Sequence, residues 1–121
     1  MSNNETYIAV IIVNYGTAAL AIRAVRTLFQ KVSSSEHLRI FLVDNNSPND
    51  DATTLTKAIS VNQWESKVTL WQLNENLGFG GGNNVILDYL AKASQKPEFV
   101  FFLNPDAYLK NDTVSILASR S

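Results

Sequence analysis

Four short apolar runs, at residues 7–13, 39–43, 68–73 and 99–103, alternate with stretches whose apolar residues recur at helical spacing. Few folds accommodate that alternation. Strand, helix, strand in succession makes right-handed βαβ crossovers, and their product is an open parallel sheet with helices on both faces, an α/β Rossmann-like architecture. The first, second and fourth runs are apolar nearly throughout and suit strands buried on both faces, whereas Val68-Thr69-Leu70-Trp71-Gln72-Leu73 mixes polar and apolar residues and suits a sheet edge. The expected strand order is therefore 3-2-1-4. Winding reverses between strands one and four, and in open α/β sheets ligands bind at such a reversal, beyond the carboxyl ends of the strands.

The helices follow from periodicity. Ala21, Val25, Leu28 and Val32 share one face, with Arg23, Arg26 and Gln30 turned away. Asp50 or Asp51 is placed to cap a second helix carrying Ala52, Leu55 and Ile59, and Asn83 or Asn84 a third carrying Ile86, Tyr89, Leu90 and Ala93. Asn111 or Asp112 would start a last short helix over 113–118.

Bulk properties remove several functional classes. A chain of 121 residues with 45% hydrophobic residues makes one ordinary globular domain. The ten Lys and Arg are scattered and the formal net charge is −1, which argues against a nucleic-acid surface or a polybasic membrane patch. There is no cysteine, so disulfides, thiolate metal sites and cysteine catalysis are excluded. The single histidine, His37, precedes a strand and reads as a solvated loop residue. No apolar run is long enough for a membrane span, and a start without positive charge followed by a short apolar run does not make a signal peptide, so a cytoplasmic location is expected.

The residues with chemistry in them gather at the predicted strand ends. After Phe99 to Leu103 comes Asn104-Pro105-Asp106; Pro105 has no N–H for the ladder, so the chain leaves the sheet there and presents Asn104 and Asp106. Asp106 suits Mg²⁺ or Mn²⁺ bridging to a diphosphate, though Asn, Pro and Asp also make plain turns. Asn14-Tyr15-Gly16 ends the first strand, and Asp44 ends the second. Asp44 is either an acceptor for the imide N–H of a uracil or thymine ring or a turn residue, and Tyr15 either faces a base or packs on the first helix. Gly78-Phe79-Gly80-Gly81-Gly82-Asn83-Asn84 has two readings as well: backbone N–H groups brought close to an anion at a helix start, or helix–strand packing that only glycine permits. The string is neither the dinucleotide fingerprint, since the third position is Val85, nor a P-loop, since no Gly-Lys-Ser or Gly-Lys-Thr is present.

Together, residues 8–15, 41–47, 76–84 and 102–106 resemble, in order and spacing, the N-terminal half of an inverting family 2 glycosyltransferase of the GT-A fold, most similar to its rhamnosyltransferase-like branch. The resemblance implies a nucleotide-diphosphate sugar donor, UDP- or dTDP-linked, and an acceptor hydroxyl on a sugar or glycan. By it, Val13, Asn14 and Tyr15 border the base and Asp44 bonds to it. Asn76, Gly78, Gly82 and Asn83 lie against the ribose and diphosphate. Asn104 and Asp106 stand where the family often has Asp-x-Asp, with Asp106 as the metal ligand for Mg²⁺ or Mn²⁺. Asn104 replaces that motif's first acid, and Asn83 stands where many members carry arginine.

In the family the catalytic base and acceptor site follow the Asp-x-Asp motif, and only fifteen residues follow Asp106 here. Residues 1–121 therefore read as the donor-binding part of a glycosyltransferase domain, with the acceptor-binding half and the base absent. The alternative is a catalytically inactive binding or interaction module that keeps the fold. A nucleotidyltransferase would want a basic, glycine-rich loop after strand one, and a phosphoacceptor receiver domain would want acids there; Asn14-Tyr15-Gly16 supplies neither. A fourth strand with no outer neighbour would expose an edge lined by Phe99 and Phe101, and a homo-oligomer through that edge is expected.

Overall fold

A computed structural model describes residues 6–31, 37–105 and 116–120. The elements run β1 (Ile8–Asn14), α1 (Ala18–Lys31), β2 (Leu38–Asp44), α2 (Asp51–Val61), β3 (Val68–Gln72), α3 (Gly78–Lys92), β4 (Phe99–Leu103) and β5 (Ile116–Arg120). They form one sheet in the order β3-β2-β1-β4-β5. The four strands read from the sequence are mutually parallel in the order 3-2-1-4, with β3 at one edge.

Side-chain alternation along the strands sorts the core into two layers. Val10, Ile12, Ile40, Leu42 and Leu103 point to the face covered by α1 and α2, where they meet Ala21, Val25, Leu28, Leu55 and Ile59. Ala9, Ile11, Val13, Phe41, Val43 and Val100 point to the opposite face and meet Ile86 and Leu90 of α3. The two crossovers that step from β1 to β3 thus lie on one face. The crossover from β3 back to β4 lies on the other, as a right-handed path that reverses direction requires.

Three expectations are corrected. Segment 113–118 does not make a short helix: its described part lies in β5, which pairs antiparallel with β4 from Leu103↔Ile116 to Phe99↔Arg120. A bare β4 edge would leave a row of main-chain N–H and C=O groups without partners, and pairing them outweighs weak local helix preference. The same pairing removes the reason for a homo-oligomer through that edge, because β5 occupies it. The glycine-rich string, third, is not a loop ahead of a helix capped by Asn83 or Asn84. It is the first turn of α3, which starts at Gly78 behind Leu77 with no side-chain cap.

One glycine shows why the string is glycine-rich. A Cβ on Gly82 would lie 2.9 Å from Cγ1 of Val13, so α3 presses its backbone directly on the end of β1. Gly80, two residues earlier on the helix, faces open space. Gly82→Ala should destabilise the fold by about 1–3 kcal/mol through overpacking. Gly80→Ala should be neutral or stabilising by up to about 1 kcal/mol, through helix propensity and a less flexible unfolded chain. Urea unfolding of the two variants beside the parent checks both.

Candidate functional site

The carboxyl ends of β1, β2 and β4 lie side by side because the register aligns Asn14 with Asp44 and Ile12 with Leu103. Asn14 is fully buried there. Its Nδ2 donates to Oδ1 of Asp44 and to Oδ2 of Asp51, both at 3.0 Å, while its Oδ1 accepts from the N–H (3.3 Å) and hydroxyl (2.9 Å) of Thr17. Only one orientation of the amide meets these demands, since the carboxylates can only accept and the Thr17 N–H can only donate. One neutral side chain thereby joins β1 to the end of β2, the start of α2 and the turn into α1.

Ser47 closes the network. Its hydroxyl donates to Oδ1 of Asp44 at 2.5 Å and accepts from the N–H of Gly16 at 3.0 Å, and its own N–H donates to Oδ2 of Asp44 at 3.3 Å. A carboxylate offers about four lone-pair sites. Among the described residues, Asn14 and Ser47 fill three of those on Asp44, which leaves one on Oδ2. The loop bends tightly enough to do this because Asn46, Asn49 and Asp50 adopt left-handed backbone angles near φ +62°, which Asn and Asp tolerate better than other side chains.

Asn45 ties this cluster to α3. It is buried, its Nδ2 donates to the carbonyl of Gly78 and its Oδ1 accepts from the N–H of Leu77, each at 2.9 Å. Its own N–H donates to the carbonyl of Asn14 at 2.9 Å. Asn76 receives the N–H of Gly78 at 2.8 Å, so the first turn of α3 is held from both sides.

The sequence-derived candidates divide by place. Val13, Asn14, Asp44, Gly78 and Gly82 converge at this end of the sheet, with Asn76 holding Gly78. Tyr15 follows Asn14 and is 51% exposed. Asn104 is exposed one residue past Leu103, hence beside Val13. Asn83 is buried inside α3, its Nδ2 bonded to the carbonyl of Phe79 at 3.1 Å and its Oδ1 without a partner. Asp106 lies outside the described residues. Among the described residues no three His, Asp or Glu side chains gather into a metal-holding group. No helix among the described residues is long and apolar enough to cross a membrane.

Asn45, Ser47 and Asp51 are absent from the sequence-derived set. Asp51 reads in sequence as a helix cap, yet its carboxylate reaches back to β1, a contact that local spacing does not reveal. Ser47 carried a signal of its own: a hydroxyl three residues after a strand-end Asp is the pattern of a side chain bonding back on its turn.

The sequence matches the family described as Glycosyl transferase family 2 over residues 9–120. No curated protein matches it. Among solved structures, a mannosyltransferase from Pyrobaculum calidifontis, in complex with GDP-Man and Mn²⁺, superposes with a TM-score of 0.69 at 19% identity, covering 87% of this chain and 29% of that one. TarS 1-349 from S. aureus, in complex with UDP-GlcNAc, superposes with a TM-score of 0.61 at 22% identity, covering 84% and 27%. At such identities the likeness is one of fold, and this chain spans less than a third of either relative's length.

Asn14→Ala should cost about 3–5 kcal/mol, because it leaves two buried carboxylates without their shared donor. In a double-mutant cycle with Asp51→Asn the two losses should fall short of additivity by about 0.5–3 kcal/mol. Denaturant unfolding of the four proteins measures both quantities, and strict additivity would mean that the Asn14–Asp51 bond carries no energy.

Proposed function

This chain belongs to glycosyl transferase family 2, and we propose that it is the donor-binding part of a sugar-transfer enzyme, holding a nucleotide-diphosphate sugar at the carboxyl end of the sheet. The observation that carries this reading is the anchored carboxylate of Asp44, which keeps one lone pair beyond the three that Asn14 and Ser47 occupy. A uracil or thymine ring has an imide N–H to place there, which favours UDP- or dTDP-linked donors over those of cytosine or adenine, whose ring nitrogen is an acceptor. Tyr15 would cover the base, and Val13 and Asn14 would form the wall behind it.

The diphosphate is assigned to the start of α3. There Asn45 and Asn76 take the N–H groups of Leu77 and Gly78, those of Phe79 and Gly80 lie in the turn that lacks intrahelical acceptors, and the helix dipole favours negative charge. Gly80, with open space on its outer side, lets a ligand approach the backbone. Asn83 adds a buried polar side chain but no charge. We assign Mg²⁺ or Mn²⁺ to Asp106, with Asn104 beside it; the bound cation would supply charge neutralisation of the leaving diphosphate. An acceptor hydroxyl on a sugar or glycan then displaces the diphosphate from the anomeric carbon with inversion. A rhamnosyl or other hexosyl group is the unit transferred in the branch that the sequence resembles.

No residue of this chain is assigned as the catalytic base or to the acceptor site. On this reading residues 1–121 bind the donor without turning it over. A second reading is a catalytically inactive binding or interaction module that retains the fold.

Thermal unfolding with UDP, dTDP, GDP and their sugar conjugates, each with and without Mn²⁺, tests donor binding. A ligand at a hundredfold excess over its Kd should stabilise the fold by about 2.7 kcal/mol, a rise in Tm of several degrees for a domain of this size. Asp44→Asn should reduce the shift given by UDP and dTDP, and Asp106→Ala should remove the Mn²⁺-dependent part of the shift. A folded protein that none of these ligands stabilises would refute donor binding by this chain.

A further inference from the structure

A depression of about 510 Å³ opens at the other end of the sheet, where the strands begin. The whole length of β1, seven residues or roughly 20 Å, separates it from Asn14. Its floor follows from strand alternation. Tyr7 and Phe41 belong to the layer that faces α3. Arg39, Lys67 and Thr69 stand two residues from members of that layer or from each other, so they turn to the same side, and all three line the cavity. The main chains of β2 and β3 are joined here by the Ile40 N–H donating to the Lys67 carbonyl at 2.8 Å, which sets Arg39 and Lys67 on adjacent strands. The far wall is the last turn of α3, with Tyr89 and Lys92, and the turn after it. Because α3 stops at Lys92 it does not cover the beginnings of the strands, and a concavity remains.

The charge of this concavity is one-sided. Arg39, Lys67 and Lys92 line it, hydroxyls come from Ser66, Thr69 and Ser94, and among the described residues no carboxylate belongs to the lining. Asp88 pairs with Lys92 at 3.3 Å, but both side chains are largely in solvent, where water screens the pair. The carboxyl end of a helix would normally repel an anion. Here Lys96 answers it, its Nζ donating to the carbonyls of Ala91 and Ala93 at 2.7 and 2.9 Å. Arg39 is already set: its guanidinium lies over the ring of Tyr7, 4.8 Å from the centroid. Such stacking occupies the face of the guanidinium and leaves its N–H edge to donate. The Tyr7 hydroxyl donates to the carbonyl of Gln95 at 3.2 Å, which fixes the ring beneath.

We propose that this cavity is a second ligand site, for a small organic phosphate whose phosphoryl dianion is held by Arg39, Lys67 and Lys92 and whose planar or apolar body lies on Tyr89, beside the edge of Phe41. Three cations around one hollow suit a dianion better than a single carboxylate, and the Arg39 fork matches two phosphoryl oxygens at once. The aromatic side chains supply the area that holds the rest of the molecule, and the volume lies within the range of small-molecule sites. This site shares no residue with the carboxyl-end cluster, so it stands whether or not a nucleotide sugar binds there.

Phenyl phosphate, inorganic phosphate and phenol are the probes, titrated into the isotope-labelled chain and followed by amide chemical shifts. Phenyl phosphate should shift Thr69, Tyr89 and Ser94 saturably, inorganic phosphate should shift the same amides with weaker affinity, and phenol should give no saturable change. Arg39→Gln and Lys67→Gln should each weaken phenyl phosphate about tenfold or more, the loss of one charged hydrogen bond, while the rest of the spectrum stays in place. Two variants on different strands keep the test open should one of them unfold. Saturable shifts only around residues 78–82, equal binding of phenol, equal binding of inorganic phosphate, or unchanged affinity in a folded variant would each overturn the assignment.

Discussion

The amide of Asn14 is the piece on which the functional end of this protein depends. It sits in the last position of the central strand, fully buried, with two carboxylates on its nitrogen and the turn into α1 on its oxygen. Two acids placed this close in a low-dielectric interior repel each other and lose their water. A neutral amide with two donor hydrogens satisfies both without adding charge, and it can do so only if β1, β2 and α2 arrive in fixed relation. Satisfied throughout, such a network specifies one arrangement of the loops; with one member missing it becomes a cost. The strands bring the ends together, and the polar cluster decides how the ends are arranged.

The two ends of the sheet solve opposite problems. At the carboxyl end, α3 starts hard against β1, with Gly82 on Val13, and Asn45 bonds its first turn to the end of β2. At the other end α3 finishes early, and the aromatic and basic side chains that it leaves uncovered form a hollow. Both follow from one placement of one helix, which a single glycine permits. A larger residue at position 82 would lift the start of the helix off the strand and pull the Asn45 bonds apart.

Much of this was legible in the sequence because the strong signals are local. Continuous apolar runs identify β1, β2 and β4, the mixed run identifies β3 as an edge, and helical spacing gives Ala21, Val25 and Leu28 or Leu55 and Ile59 as core faces. Strand order follows from which runs need burial on both sides. What local pattern could not supply was contact at a distance. Segment 116–120 has no strong strand character of its own and pairs because β4 offers it a partner. Asp51 looks like a cap until β1 is laid beside it, and the glycine-rich string looks like a loop until Val13 shows what it must accommodate. The identity of the cluster's members was half visible: Asn14 and Asp44 stand at strand ends, whereas Ser47 and Asn45 act through bonds made by a turn whose left-handed residues can be guessed in kind but not in position.

A fixed carboxylate has a consequence for discrimination. On the reading that Asp44 accepts from a base, it cannot swing to suit different rings, because Asn14 holds one oxygen and Ser47 holds both. A base with a donor at the right place completes the carboxylate's hydrogen bonding. A base that presents an acceptor there leaves two sets of lone pairs facing each other in a buried site, which costs more than the correct bond gains. Selectivity of that kind comes from rigidity, and here the rigidity originates in Asn14 and Ser47, which hold the carboxylate in place. Substitutions at Ser47 or Asp51 would act on it from behind, by releasing Asp44 to move, and the same release would weaken the fold, so that stability and choice of nucleotide are coupled through one buried amide.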